Sequence, residues 1–258
     1  MVMGRGISAV VLVLSLARVA AATDAFEIQV YDPGINPPLS FGIEVHVNYV
    51  ARGHDEADHD GGVPPDQLVH VTFEPSFSIT SFWELGAYLQ VAVDPKGDGA
   101  QAWFGGWKLR SKFVLPEEQS GIFDLGINLE FSDVPHRFEE GVTGAEVRPI
   151  LGIRYAGFRV DVNPILTWGF EGRRVGVPDF EPCLKANWDT TLGFTIGAEY
   201  YAGLGRVDHM PRLDKQEHYV YVVFDLLDGP FELNVGVGRG LTEASNDWTL
   251  KAIVGKSF

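Results

Sequence analysis

The chain has 258 residues, enough for one or two ordinary domains or a single barrel. It is 45% hydrophobic and 21% charged, with a formal net charge of -15. The apolar fraction excludes a disordered chain. The acidic balance argues against nucleic acid as a partner, because no basic excess is available to release counterions from phosphates. A single cysteine, Cys183, excludes an intramolecular disulfide and a cysteine-rich zinc site.

Met1 to Ala22 reads as a secretory signal peptide. Arg5 supplies the positive start, Ile7 to Ala17 the apolar run, and Ala20-Ala21-Ala22 the small residues before a cut near Thr23. The run is shorter than the ~20 apolar residues a spanning helix needs. No later segment approaches one, so a membrane location would require a closed β-barrel.

Residues 23–40 read as a short N-terminal periplasmic extension. Phe26, Ile28 and Val30 alternate with Glu27 and Gln29 before Pro33, Pro37 and Pro38 stop the pattern. Two expectations stay open here: a piece that tucks into or caps a barrel mouth, and a disordered lead-in.

From Phe41 to Phe258 the apolar residues recur with period two, the mark of strands with one apolar and one polar face. About twelve such runs follow one another. The first is Phe41 to Val50, with Ile43, Val45 and Val47 against Glu44 and His46. Next come Val69 to Ile79, Trp83 to Val93, Trp103 to Phe113 and Phe123 to Phe131. Val147 to Tyr155, Phe158 to Phe170, Glu181 to Trp188 and Leu192 to Tyr200 continue the series. The last are Tyr219 to Asp225, Phe231 to Val237 and Trp248 to Phe258. Many reach the length of about 9–11 residues that a tilted membrane strand requires. The apolar set is nearly free of charge. Arg239 and Lys256 lie near strand ends, where long side chains can snorkel.

Connections alternate in length. Ala51–Gln67, Asp94–Ala100, Ser132–Gly144, Glu171–Phe180, Ala202–Glu217 and Gly240–Asp247 are long, and most of those between them are tight. Short turns on one side and long loops on the other suit an even-stranded transmembrane barrel. Aromatics near strand ends, such as Tyr49, Trp83, Trp168, Trp188 and Trp248, suit interfacial girdles. A soluble sandwich or lipocalin-like barrel is the competing architecture, but twelve long strands would enclose a space too wide for side chains to fill. The expected fold is therefore all-β: a closed antiparallel transmembrane β-barrel over 41–258.

On these residues the chain resembles a Gram-negative outer-membrane β-barrel. The last strand, Trp248 to Phe258, ends in a C-terminal aromatic. The resemblance implies that Phe258 is read by the barrel-assembly machinery, and that outer-membrane lipid surrounds the mature chain. Phe231 to Asp247, with Gly236-Val-Gly-Arg-Gly240, resembles the penultimate hairpin of outer-membrane channel or transporter proteins.

If the apolar face meets lipid, the polar face lines a lumen. Candidate selectivity residues are Glu44, His46, His70, Glu74, Glu84, Lys108, Arg110, Lys112, Asp124, Glu130, Arg148, Arg154, Arg159 and Asp161. Acids facing bases across a constriction can filter a small solute. They can equally form a salt-bridged network that closes a structural or adhesive barrel. In the first long loop, His54, Asp55, Asp58, His59 and Asp60 could hold a divalent cation or form a solvated acidic tip. Neither an HExxH nor a calcium-loop spacing is present, and no cofactor is expected.

A lipid-modifying enzyme would need an activated Ser or His at the lipid boundary. No GxSxG occurs. His70 and Ser76 are too far apart along one strand to bond, at ~3.3 Å per residue. The leading expectation is passage of a small solute, not catalysis.

Overall fold

The computed structural model describes residues 24–96, 99–171, 175–190, 192–226 and 229–258. Met1 to Ala22, the segment read as an export signal, lies outside them, as do parts of four connections. The strands are β1 (Phe41–Arg52), β2 (Val69–Thr80), β3 (Trp83–Asp94), β4 (Gln101–Val114), β5 (Phe123–Asp133), β6 (Thr143–Tyr155) and β7 (Phe158–Asn163). They continue with β8 (Leu166–Gly169), β9 (Asp179–Phe180), β10 (Cys183–Asp189), β11 (Thr195–Gly203), β12 (Glu217–Leu226), β13 (Glu232–Gly240) and β14 (Trp248–Ser257). One helical turn, α1 (Glu117–Ser120), sits in the β4–β5 link.

Every neighbour pair is antiparallel, and β1 pairs with β14, so the sheet closes on itself. The fourteen pieces make twelve staves. β6 pairs with both β7 and β8, and β9 and β10 continue along them. The breaks fall at Pro164 and Pro182, because proline has no N–H for the ladder. Glu181 N–H donates to the Ile165 carbonyl at 3.0 Å, which carries backbone pairing across the interruption. The run read as continuous from Phe158 to Phe170 is therefore two pieces, and Phe170 lies beyond β8. Leu192 and Phe194 likewise precede β11: the Thr190 hydroxyl donates to the Phe194 carbonyl at 2.6 Å and holds that stretch as a turn.

The alternation sorts the faces as the pattern requires. Leu89 is 50% exposed, while its neighbours Tyr88 and Gln90 are 2% and 0% exposed. Outward positions such as Ile43, Leu109, Ile127, Ile196 and Leu250 form an apolar belt around the closed sheet. A belt of that extent is a lipid-facing surface. Aromatic stacks trim its rims. Trp83 stacks on Phe113 at 5.8 Å, and Phe158 on Trp188 at 6.0 Å. Of the two outward bases, Arg239 lies over Trp248 and reaches Asp247, and Lys256 lies over Phe231 and Phe258. Both snorkel at strand ends. Short turns gather at the end that holds Phe41 and Phe258, here the turn end. Long connections gather at the other, the loop end.

Candidate functional site: the charged lumen and the segment inside it

The stretch read as a periplasmic extension runs, from Asp24 to Asn36, inside the barrel. At the loop end the Asn48 amide donates to the Ala25 carbonyl at 2.9 Å, and the Thr72 hydroxyl donates to the Phe26 carbonyl at 2.9 Å. At the turn end the Asn36 amide donates to Ser76 Oγ at 2.8 Å and to Glu84 at 2.6 Å. The segment thus spans the lumen lengthwise and then turns into β1. Phe26 anchors its outer end. The ring meets His70 and Phe138 edge-on, at 4.7 and 5.3 Å. It fits because Gly105 leaves room: a Cβ there would stand 2.6 Å from the ring. Gly105 and Gly106 form a bulge in β4, where register shifts against β3.

The lumen charges hold the segment in place. Lys108 pairs with Asp24 at 2.5 Å, with Glu27 at 3.2 Å and with Glu130 at 3.5 Å. Arg148 pairs with Glu27 at 3.2 Å and Glu146 at 2.7 Å, and its guanidinium lies 4.3 Å from the Tyr31 ring centre. Lys251 donates to the Ile28 carbonyl at 3.0 Å and to Glu199 at 2.5 Å. Asn163 clasps the Tyr31 backbone on both sides, accepting from its N–H at 2.6 Å and donating to its carbonyl at 3.0 Å. The Tyr31 hydroxyl hydrogen-bonds that of Tyr88. Lys112 donates to the Gly34 carbonyl at 2.6 Å. Because the partners are buried, breaking one pair leaves an uncompensated charge in a low dielectric.

Two further groups lie along the wall. Arg110 donates to Glu74 at 2.6 Å and to Glu84 at 2.9 Å. It reaches them by lying across Gly86, where a Cβ would stand 2.6 Å from Nε. Asp124 takes Arg154 at 3.0 Å and Arg159 at 3.1 Å, and Arg159 also meets Asp161 at 2.7 Å and Asp32 at 3.4 Å. His46 lies between Glu74 at 3.2 Å and Glu44 at 3.5 Å. The structure therefore brings all fourteen candidate lumen residues to the inner face. Most of them work as pairs and triads.

Cavities remain in the lumen. One, of about 250 Å³, lies beside the segment towards the turn end, walled by Glu44, Glu74, Arg110, Lys185, Asp225 and Lys251 among others. The second, of about 130 Å³, lies at the loop end. Its charged lining is Asp24, Asp58, Glu130, Glu139, Glu146, Glu181 and Glu217 against Lys108 and Arg137, with His59 and His70 beside them. Glu181 and Glu217 were not among the candidate residues; Glu181 was on the polar face by parity, and Glu217 borders a long connection.

The first long loop does not gather its acids and histidines. His54 Nε2 meets the Ala244 carbonyl at 3.2 Å, and His59 Nε2 meets the His136 carbonyl at 2.5 Å. Among the described residues, Asp55, Asp58 and Asp60 do not converge with these histidines on one point. The expected loop cation site is thus not assembled. Its histidines pin the loop to its neighbours instead.

No protein-family model matches the sequence, and no curated protein matches it. Solved structures share its fold. An outer membrane channel from Pseudomonas putida F1 is similar with a TM-score of 0.61 at 14% identity, covering 90% of this chain and 100% of that one. A KdgM porin is similar at 0.54 and 11% identity, covering 84% and 99%. The same porin in complex with disordered oligogalacturonate gives 0.51 at 11% identity, covering 84% and 99%. At these identities the likeness shows the architecture: a closed twelve-stranded antiparallel barrel of the kind built by outer-membrane channels and porins.

Proposed function

We propose that this chain is exported to the outer membrane of a Gram-negative bacterium and passes a small polar solute along its charged lumen. The observation that carries the reading is the pair of lumen cavities, about 250 and 130 Å³, one towards each end of a barrel whose outer face is apolar. In this reading the turn end faces the periplasm, Met1 to Ala22 is removed, and Phe258 engages the barrel-assembly machinery. The acidic lining of the loop-end cavity favours cationic solutes, since like-signed walls with low-dielectric backing raise the local concentration of counter-ions. The N-terminal segment sets the narrowest part of the path. His70, Ser76 and Ser78 all face the lumen and not lipid, which supports passage over lipid modification.

The segment that crosses the lumen also gives the second reading, a closed structural barrel, its specific support. One measurement separates them. The purified full-length protein in planar bilayers should conduct, with cations favoured in the reversal potential. Neutralising Arg110 or Arg154 should change the conductance. A folded barrel that neither conducts nor leaks small sugars from liposomes overturns the passage reading.

A further inference from the structure

We propose that Glu44, His46 and Glu74 form a site for one divalent first-row transition cation, typified by zinc, in the wall of the turn-end cavity. The inference goes beyond the passage reading and does not depend on it. Glu44 and Glu74 are direct cross-strand partners on β1 and β2, and His46 lies two residues from Glu44 on the same inner face. One ligand atom from each lies within 4.8 Å of the others. His46 Nε2 stands 3.2 Å from Glu74 Oε2 and 3.5 Å from Glu44 Oε2. A tetrahedral zinc with bonds of roughly 2.0–2.2 Å sets its ligand atoms roughly 3.3–3.6 Å apart, so the 3.5 Å separation already matches and the 3.2 Å one falls just short of it.

Three features make this more than an acidic corner. First, the site has its own orienting group. Arg110 holds Glu74 through Oε1 at 2.6 Å and leaves Oε2 directed at His46, the division of labour seen where a ligating carboxylate is fixed from behind. Second, His46 is fully buried, with Nε2 aimed between the two carboxylates and Nδ1 without a partner among the described residues. Third, two carboxylates face each other directly across β1 and β2. Like charges placed directly opposite on neighbouring strands repel. Among the described residues, His46 is the one ion-pair partner of Glu44. Glu232 lies just beyond Gly255, where a Cβ would stand 3.3 Å from Glu44 Cγ and 3.6 Å from Glu232 Oε2. The mixed imidazole and carboxylate set suits zinc-like ions better than calcium or magnesium, which prefer oxygen alone. Gln29 donates its side-chain amide to Glu44 Oε2 at 3.3 Å, so the N-terminal segment touches one of the three ligands. Binding requires a free Nε2 lone pair, so any proton there leaves to solvent as the metal enters.

The test is cobalt(II) titration of the full-length protein in detergent, stripped with chelator and carrying no histidine tag, followed by visible absorption. One equivalent should give a saturable ligand-field band that zinc displaces. The band should be lost in His46→Ala and weakened in Glu44→Gln, yet persist in the triple variant His54→Ala, His59→Ala and His136→Ala. Heat-modifiable migration on gels reports folding of each variant. If His46→Ala does not fold, Glu44→Gln decides, because among the described residues its carboxylate makes no direct ion pair with an arginine or lysine. Absence of one-equivalent binding by the parent protein overturns the site, as does binding that survives His46→Ala or disappears with the loop histidines. Conductance in chelator reads passage separately. A conducting barrel that binds no metal sinks this site alone, and a metal-binding barrel that does not conduct sinks the passage reading alone.

Discussion

The two faces of the barrel strands are built on opposite rules. Outside, each side chain meets lipid on its own. Leu89 needs only to be apolar, and its neighbours on the belt do not depend on it. Inside, hardly any charge stands alone. Lys108 is shared among Asp24, Glu27 and Glu130, and Glu27 is shared between Lys108 and Arg148. An outer substitution should therefore act locally and by depth in the bilayer. An inner one should propagate, because it strands a buried partner.

The sharpest way to break this contrast is to remove what the inner face holds. A variant lacking residues 24–36 but keeping the export signal should still insert, since the belt and the strand ladder are untouched. Its conductance should rise well above that of the parent, the largest change expected of any variant here. Equal conductance would mean that the segment does not set the narrowest point. Next in size is Lys251→Met. Lys251 is buried against Glu199 and the Ile28 carbonyl, so the change leaves Glu199 with Lys185 at 3.6 Å and the Tyr201 hydroxyl at 2.7 Å. Removing one partner of a buried pair costs about 3–5 kcal/mol. Equilibrium unfolding in urea should show part of that loss, because Lys185 still faces Glu199, and adding Glu199→Gln should restore some of it.

How far each face could be read from the sequence follows from the same contrast. Belt and lumen sides were legible because period two is a local signal: Leu85, Leu89 and Val91 declare the outer side of β3 without reference to any other strand. The alternation of long and short connections was local in the same sense. The partners inside were not legible. Arg110 sits opposite Glu130 in the β4–β5 register, yet its guanidinium crosses β3 to reach Glu74 on β2. Long side chains choose partners across the lumen, which strand order alone does not fix. Lys251 donating to Ile28, 223 positions away in sequence, leaves no local trace. The N-terminal segment was half legible. Its short alternation was visible, but its place inside depends on Phe26 finding the bulge at Gly105 and Gly106. That glycine pair within an otherwise regular strand was the one available hint. Pro164 and Pro182 also stood in plain view inside runs read as continuous, and the structure breaks there.

A lipid-face charge tests the outer rule. Leu89→Arg places a guanidinium towards the middle of β3 on the belt, and such a change costs about 2–4 kcal/mol at the bilayer midplane. The loss should appear in unfolding from vesicles, with conductance and ion selectivity unchanged. A changed selectivity would mean that the two faces are coupled through the wall.

The smallest informative change lies where the inner face is most crowded. In Gly86→Ala the new Cβ would stand 2.6 Å from Arg110 Nε and 2.8 Å from its Cγ, so the guanidinium must leave its path across β3. Overpacking of this kind costs about 1–3 kcal/mol. Because the displaced group is the one that holds Glu74 and Glu84, the loss should come with altered conductance, which a purely steric defect would not bring. Gly99→Ala is the matched control, since a Cβ there meets nothing within 4 Å. It should leave stability and conductance at parent values. If both alanines behave alike, Arg110 can reach its carboxylates by another route, and the crossing at Gly86 is incidental to the lumen's charge pattern.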